Sequence, residues 1–332
     1  MIVPIVISAF LLVVVAEAVF VAIRYLPIIA NLFMNITVRP EAGGPERLRG
    51  EDVAFDTADG QRLAGTLTEA TGEENGGKTA STGGMSRTEG RPVIVFCHEF
   101  GADRHSAVKN AAFLREAGFR VFAFDFRGHG DSERPPGYSP RPWVTEHEVS
   151  DLRAALGYLA ERRDTRQAWI GLFGVSRGAS AAIVVGAETP GVGGIVSDGG
   201  FSTSHTLHNY MRRWSPIFLD PILLFLSRPD WMLSVFRKLA MKLAEHRMGV
   251  RCVSVEEALR RLEVPILFVH GEKDSYIEMN QAKMLLGFAG GPKELWMVPE
   301  ADHNEAVDVA PAEYSRRVAD FFRTALGENQ NR

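Results

Sequence analysis

The chain of 332 residues has only two cysteines, Cys97 and Cys252, each inside a largely apolar stretch, so it lacks the material for a disulfide framework. Both read as buried thiols. Cys97 adjoins His98 and could be imagined as a nucleophile, but structural buried cysteines are inert and a better serine follows later in the chain. Charge of one sign is also missing. The formal net charge is -4, which gives no global electrostatic reason to expect a nucleic-acid partner, whose binders usually carry a basic patch or stripe. No internal repeat is evident, and no third ligand stands near the histidine pair His205 and His208, so a zinc site is not expected and neither is any other cofactor. Finally, no Lys or Arg precedes the first apolar run, as one would before the core of a cleaved signal peptide.

That run, Ile2 to Ile23, is apolar except for Ser8 and Glu17, and at a rise of ~1.5 Å per residue it is long enough to cross a hydrocarbon layer. Residues 1–35 are therefore expected to form a transmembrane anchor with a juxtamembrane segment, Leu26 to Met34, bent along the membrane surface at Pro27. A cleaved signal is the competing reading, because Ala16-Glu17-Ala18 has the small-x-small pattern. Against it, the apolar run continues through Val19-Phe20-Val21-Ala22-Ile23. Arg24, Arg39, Arg47 and Arg49 all follow the run, which predicts a single-pass protein with its globular part in the cytoplasm.

The globular part is expected over 48–326. Glu51–Thr57 and Arg62–Glu69 alternate around Asp59-Gly60, as the strands of a hairpin do. Residues 70–90 are rich in Gly, Ser, Thr and Glu and read as a flexible surface loop. Beyond them, short apolar runs at Val93–Cys97, Val121–Phe124, Trp169–Phe173, Gly194–Val196, Ile266–Val269 and Leu295–Val298 alternate with helical patterns. Such runs suit strands buried on both faces, and the alternation predicts an α/β fold with a mostly parallel, doubly wound sheet. One long interruption, 201–262, reads as an inserted helical cap.

The strand Trp169–Phe173 runs into Gly174-Val175-Ser176-Arg177-Gly178 and then a helix of small residues. This is a G-x-S-x-G elbow in its required setting: a sharp strand-to-helix turn exposes the serine hydroxyl, and glycines leave room for neighbouring chain. A hydroxyl is a weak nucleophile at neutral pH, so an imidazole must take its proton and a carboxylate must orient that imidazole. Asp274 lies in the loop after Ile266–Val269, and His303 in the loop after Leu295–Val298. Each is at the carboxyl end of a strand, where such sheets collect their ligands. Asp198, at the end of the Gly194–Val196 strand, is the rival acid. The oxyanion formed during acyl transfer needs backbone N–H donors, expected from Arg177 and Phe100.

Together with Cys97-His98-Glu99-Phe100-Gly101 and Asp125-Phe126-Arg127-Gly128-His129-Gly130-Asp131-Ser132, these motifs resemble the α/β-hydrolase superfamily over about residues 50–326. Esterases, lipases and serine aminopeptidase-like enzymes are the members it resembles. Glu99 departs from the glycine usual after the loop histidine. The resemblance implies a structural role for Arg127 and Asp125, bracing the loop under the site. Ser176 excludes the haloalkane dehalogenase and epoxide hydrolase branches, which carry aspartate at the elbow.

Residues 214–226 and 231–236 are densely apolar, as a pocket for an acyl chain or a lid against a bilayer would be. The expected activity is hydrolysis of carboxylic ester or thioester bonds in a small or lipid-like acyl substrate. A serine peptidase, with Glu99 receiving a substrate amine, and a non-catalytic binding scaffold are the alternatives.

Overall fold

The computed structural model describes residues 2–35, 46–71, 91–218, 224 and 230–328. Most of the 70–90 segment and part of the apolar run 214–226 lie outside these residues. In chain order the elements are helix α1 (Ile2–Asn35), strands β1 (Glu51–Asp56), β2 (Arg62–Thr68) and β3 (Val93–Cys97), α2 (Ala107–Glu116), β4 (Arg120–Phe124), α3 (Glu146–Glu161), β5 (Ile170–Val175), α4 (Arg177–Gly186) and β6 (Val192–Asp198). They continue with α5 (Thr203–Phe218), α6 (Asp230–Met248), α7 (Val255–Arg261), β7 (Ile266–Gly271), α8 (Met279–Phe288), β8 (Lys293–Val298), α9 (Ala306–Val309) and α10 (Pro311–Glu328).

The eight strands form one sheet in the order β1-β2-β4-β3-β5-β6-β7-β8. The opening hairpin is antiparallel, β2 joins β4 antiparallel, and every pairing from β4 to β8 is parallel. Parallel strands need crossovers, and alternate side chains point to opposite faces. Val93, Val95, Cys97, Phe122 and Phe124 accordingly pack with α3, α4, α7 and α8 on one face. On the other, Ile94, Phe96, Val121 and Ala123 pack with α2 and α10. The chain leaves β3 for β4 on one side and returns to β5 on the other, so the sheet order reverses at β3. Open α/β sheets form their crevice at such a reversal.

Two compact units emerge, 38–203 with 252–332 around the sheet, and 1–37 with 204–251. The expected cap thus extends too far: Cys252–Leu262 joins the sheet unit, where Cys252 bridges to Thr145 and Val255, Ala258 and Leu259 enter the core. An amphipathic helix of seven residues carries no mark of which unit it faces.

In the second unit α1 packs on α6, burying Ala30 and Phe33. The helix does not break at Pro27 but continues through it to Asn35; a proline there removes one intrahelical hydrogen bond, and packing on α6 offsets that loss. Among the described residues no helix is long and apolar enough to cross a membrane. The expected transmembrane helix therefore finds no support in the structure. The sequence expectation ended the anchor near Ile23 and bent the chain at Pro27, whereas α1 runs on through Arg24 and Asn31 and buries Ala30 and Phe33 in its later half.

The loop after β4 is braced from inside. Asp151 accepts from the Arg127 N–H and Nε–H, each at 2.8 Å, and Asp59 accepts from Nη1 at 2.7 Å. Asp125 accepts from the N–H of Arg104 at 2.6 Å and of Asp131 at 2.9 Å, and also pairs with the Arg104 guanidinium. Burial lifts Asp151 to about 6 against the pull of Arg127, so it depends on that partner to stay charged. Arg127→Met strands this carboxylate and is expected to cost about 3 kcal/mol or more. Denaturant unfolding measures the loss, and adding Asp151→Leu should return part of it.

Candidate active site

Ser176 is the turn between β5 and α4, with φ 51° and ψ -113°, a conformation that side chains rarely adopt. Its N–H donates to the Asp198 carbonyl at 2.7 Å, which locks the turn to the neighbouring strand. The two flanking glycines are needed for close approach. A Cβ on Gly174 would lie 2.4 Å from the Ala179 backbone, and one on Gly178 would lie 2.1 Å from the Cys97 carbonyl oxygen. The elbow can therefore press against the end of β3, and the Arg177 N–H, at the first position of α4, has no intrahelical acceptor.

Ser176 Oγ lies 2.9 Å from His303 Nε2, and His303 Nδ1 lies 2.7 Å from Asp274 Oδ2. The other oxygen of Asp274 accepts from the N–H groups of Tyr276 at 2.9 Å and Ile277 at 2.7 Å. Three residues spread over 127 positions of the sequence are thus brought into one row, from the carboxyl ends of β5, β7 and β8. Asp198 is occupied elsewhere: its Oδ2 accepts from the Tyr314 hydroxyl at 2.6 Å. Beneath the row, His270 Nε2–H donates to the Ile277 carbonyl at 2.9 Å, and its ring lies 3.6 Å from Asp274.

The sequence reading missed one support. Asp302 Oδ1 accepts from the Ser275 N–H and the His303 N–H, both at 2.8 Å. This carboxylate ties the loop that carries Asp274 to the loop that carries His303. Burial opposes its charge, yet those two N–H donors hold it below the usual carboxylate range. Its place beside His303 was visible; its bond to a loop 27 residues earlier was not.

On the loop after β3, the Phe100 ring lies 5.4 Å from the Arg177 guanidinium. Arg177 also caps Phe126 at 5.2 Å and donates to the Arg141 carbonyl at 2.9 Å. Glu99 is buried and accepts from Ser106 Oγ at 3.1 Å. Its carboxylate points into the fold. Burial pushes the Cys97 thiol up, so it is not a nucleophile at neutral pH. His205 and His208 both lie on α5, and among the described residues no group of three or more His, Cys, Asp and Glu side chains could hold a metal ion.

Three histidines around the crevice are buried and held neutral. Burial, then His129 and Arg177, lowers His98 far below its ordinary value; burial and Arg177 take His129 to about 3; burial lowers His270 against the pull of Asp274. The hydrogen bonds assign one tautomer to His98: Nδ1–H donates to the Glu99 carbonyl at 2.7 Å and Nε2 accepts from the Phe126 N–H at 3.1 Å.

Below about pH 6.5 the unfolded chain takes up protons at these positions and the folded chain does not, so stability falls with falling pH. Each histidine contributes about 1.4 kcal/mol per pH unit until its folded value is reached. Asp125 and Asp151, raised by burial, offset part of this slope. Denaturant unfolding at pH 7 and pH 5 should show a net loss toward pH 5. The variant His129→Gln should flatten the dependence by about 1.4 kcal/mol per unit. An unchanged slope would contradict the neutral assignment.

A family model described as the alpha/beta hydrolase family matches residues 84–320. The chain belongs to that family. Among its relatives is the Escherichia coli K12 protein YfhR, described as uncharacterized, 24% identical over 286 residues that cover 85% of this chain and 84% of YfhR. Among solved structures, the Pyrococcus furiosus esterase Pf2001 superposes with a TM-score of 0.60 at 20% identity, over 86% of this chain and 96% of that one. Dienelactone hydrolase from Anabaena variabilis superposes with a TM-score of 0.55 at 19% identity, over 85% and 100%. At these identities the structures establish the alpha/beta hydrolase fold and no more.

Proposed function

We propose that this member of the family is a serine hydrolase that cleaves carboxylic ester or thioester bonds of a fairly apolar acyl substrate. The hydrogen-bonded row from Ser176 Oγ through His303 to Asp274, at 2.9 Å and 2.7 Å, carries the reading. Ser176 Oγ attacks the acyl carbon and passes its proton to His303 Nε2, while Asp274 fixes the Nδ1–H tautomer and balances the imidazolium. The Arg177 and Phe100 N–H groups receive the oxyanion, helped by the positive end of α4. Nε2–H then protonates the leaving alcohol or thiol, and a water activated by the same imidazole hydrolyses the acyl-enzyme.

The esterase and hydrolase names of two structural neighbours are in keeping with this chemistry. The aminopeptidase-like alternative loses support, because Glu99, the acid it would offer to a substrate amine, is buried and bonded to Ser106. A fluorophosphonate probe should label Ser176, and an ester, thioester and aminoacyl-amide panel should rank the amide last. Amide turnover above ester turnover would favour the peptidase.

We also propose that α1 attaches the enzyme to a membrane with the sheet unit in the cytoplasm. Leu12 and Ile23 are each 73% exposed, and Val15, Val19 and Phe20 between them are exposed as well. Protease added to intact spheroplasts should leave the sheet unit uncut; digestion without lysis would reverse the topology.

A further inference from the structure

We propose that α6 carries a second membrane contact, an apolar and basic face that engages an anionic lipid bilayer beside α1. The proposal rests on the attachment of α1 and does not depend on the hydrolase reading.

Along α6, Trp231, Val235 and Leu239 recur at every fourth residue and are 68%, 48% and 44% exposed. Residues four apart share one side of a helix. Lys238 and Lys242 are exposed and fall, at 100° per residue, on the Trp231 side of that stripe, Lys238 at its edge and Lys242 between the directions of Trp231 and Val235. The opposite side holds Leu233, Ala240 and Ala244, which are the buried positions of the helix. Small residues there allow a close approach, and α1 is the helix that packs on α6. The exposed stripe is therefore not the packing face of α6 turned outward by chance. It is a second, separately composed side.

Its composition selects the occupant. Three large apolar side chains at one face, one of them tryptophan, suit the headgroup and acyl boundary, and lysines beside them can extend their ammonium groups to lipid phosphates. A protein partner would not require lysines at and within the edge of the apolar stripe, whereas an anionic surface rewards them. The neighbouring helix continues the pattern. At ~1.5 Å per residue, α1 with its 34 residues outruns α6 with its 19 by about 20 Å. The side of α1 that buries Ala30 and Phe33 continues N-terminally as the exposed Val19, Val15 and Leu12. Both α1 and α6 thus present apolar side chains that are exposed among the described residues.

The test uses the full chain reconstituted in vesicles of brominated phosphatidylcholine, alone or mixed with phosphatidylglycerol. Bromine quenches tryptophan only at contact range, and the difference between the native chain and Trp231→Phe isolates the signal of Trp231. That difference should be large in anionic vesicles and small in phosphatidylcholine alone. Lys238→Gln with Lys242→Gln should lower the Trp231 contact by about 30-fold in partitioning, the effect of two basic residues at about 1 kcal/mol each.

Hydrolysis of a water-soluble ester should be unchanged in every variant, which shows that they fold and keeps this test apart from the hydrolase reading. If the chain floats with the vesicles but Trp231 is not quenched, the second contact is overturned and the attachment by α1 stands. If the chain does not float, both fall. If Trp231 emission instead shifts with protein concentration without lipid, the stripe pairs with a second copy of this chain and the proposal is overturned.

Discussion

Ser176→Ala should lower hydrolysis of an activated ester by about 10⁵- to 10⁶-fold and abolish fluorophosphonate labelling, without lowering the unfolding midpoint. The oxygen removed is the one that meets His303 Nε2 at 2.9 Å. The Cβ stays, so the strained turn at φ 51° faces the same steric demands with alanine as with serine. What holds that turn is the backbone bond from the Ser176 N–H to Asp198 and the glycine contacts on either side, none of which the substitution touches. Residual turnover is expected from the oxyanion donors acting on water attack. His303→Ala should lose a similar factor, and the double variant little more than either alone, because two members of one proton-transfer unit fail together. Retention of more than about a tenth of native kcat would reject Ser176 as the nucleophile.

Much of this arrangement could be read from the chain before its coordinates. The parallel strands β3 to β7 were legible because both faces of each are buried, which writes them as apolar runs such as Val93–Cys97. Their ends were less so. Strand β6 extends to Asp198 and β7 to Gly271, past the last apolar residue, since ladder bonds do not depend on side-chain polarity. The elbow was legible because steric necessity leaves only glycine at Gly174 and Gly178.

Contacts between loops far apart in sequence left no such trace. Arg104 with Asp125, and Asp302 with Ser275, bind residues whose partners no local pattern announces. The same holds for α1. Apolar length is written in the sequence, but the burial of Ala30 and Phe33 against protein depends on α6, some 200 residues later.

The choice between Asp274 and Asp198 gives the second large effect. Asp274→Asn should lower kcat by about 10⁴-fold with little change in KM, whereas Asp198→Asn should change kcat by less than about tenfold. The reason lies in what surrounds each carboxylate. Two N–H donors, from Tyr276 and Ile277, point at Asp274 Oδ1, so an asparagine there must place its oxygen toward them. Its NH₂ then faces His303 Nδ1, where the native carboxylate oxygen lies at 2.7 Å.

A donor at that position forces Nδ1 to accept, which moves the imidazole proton to Nε2. The nitrogen that should take the serine proton then already carries one. The fold survives, because the amide keeps the bonds to the loop. Asp198 faces a different partner, the Tyr314 hydroxyl at 2.6 Å, and an asparagine oxygen can still accept from it. Steady-state kinetics on one soluble ester with both variants decides the matter. A larger loss from Asp198→Asn would transfer the orienting role to the strand next to the nucleophile, and would mean that the 2.7 Å contact between Asp274 and His303 does not persist in the working enzyme.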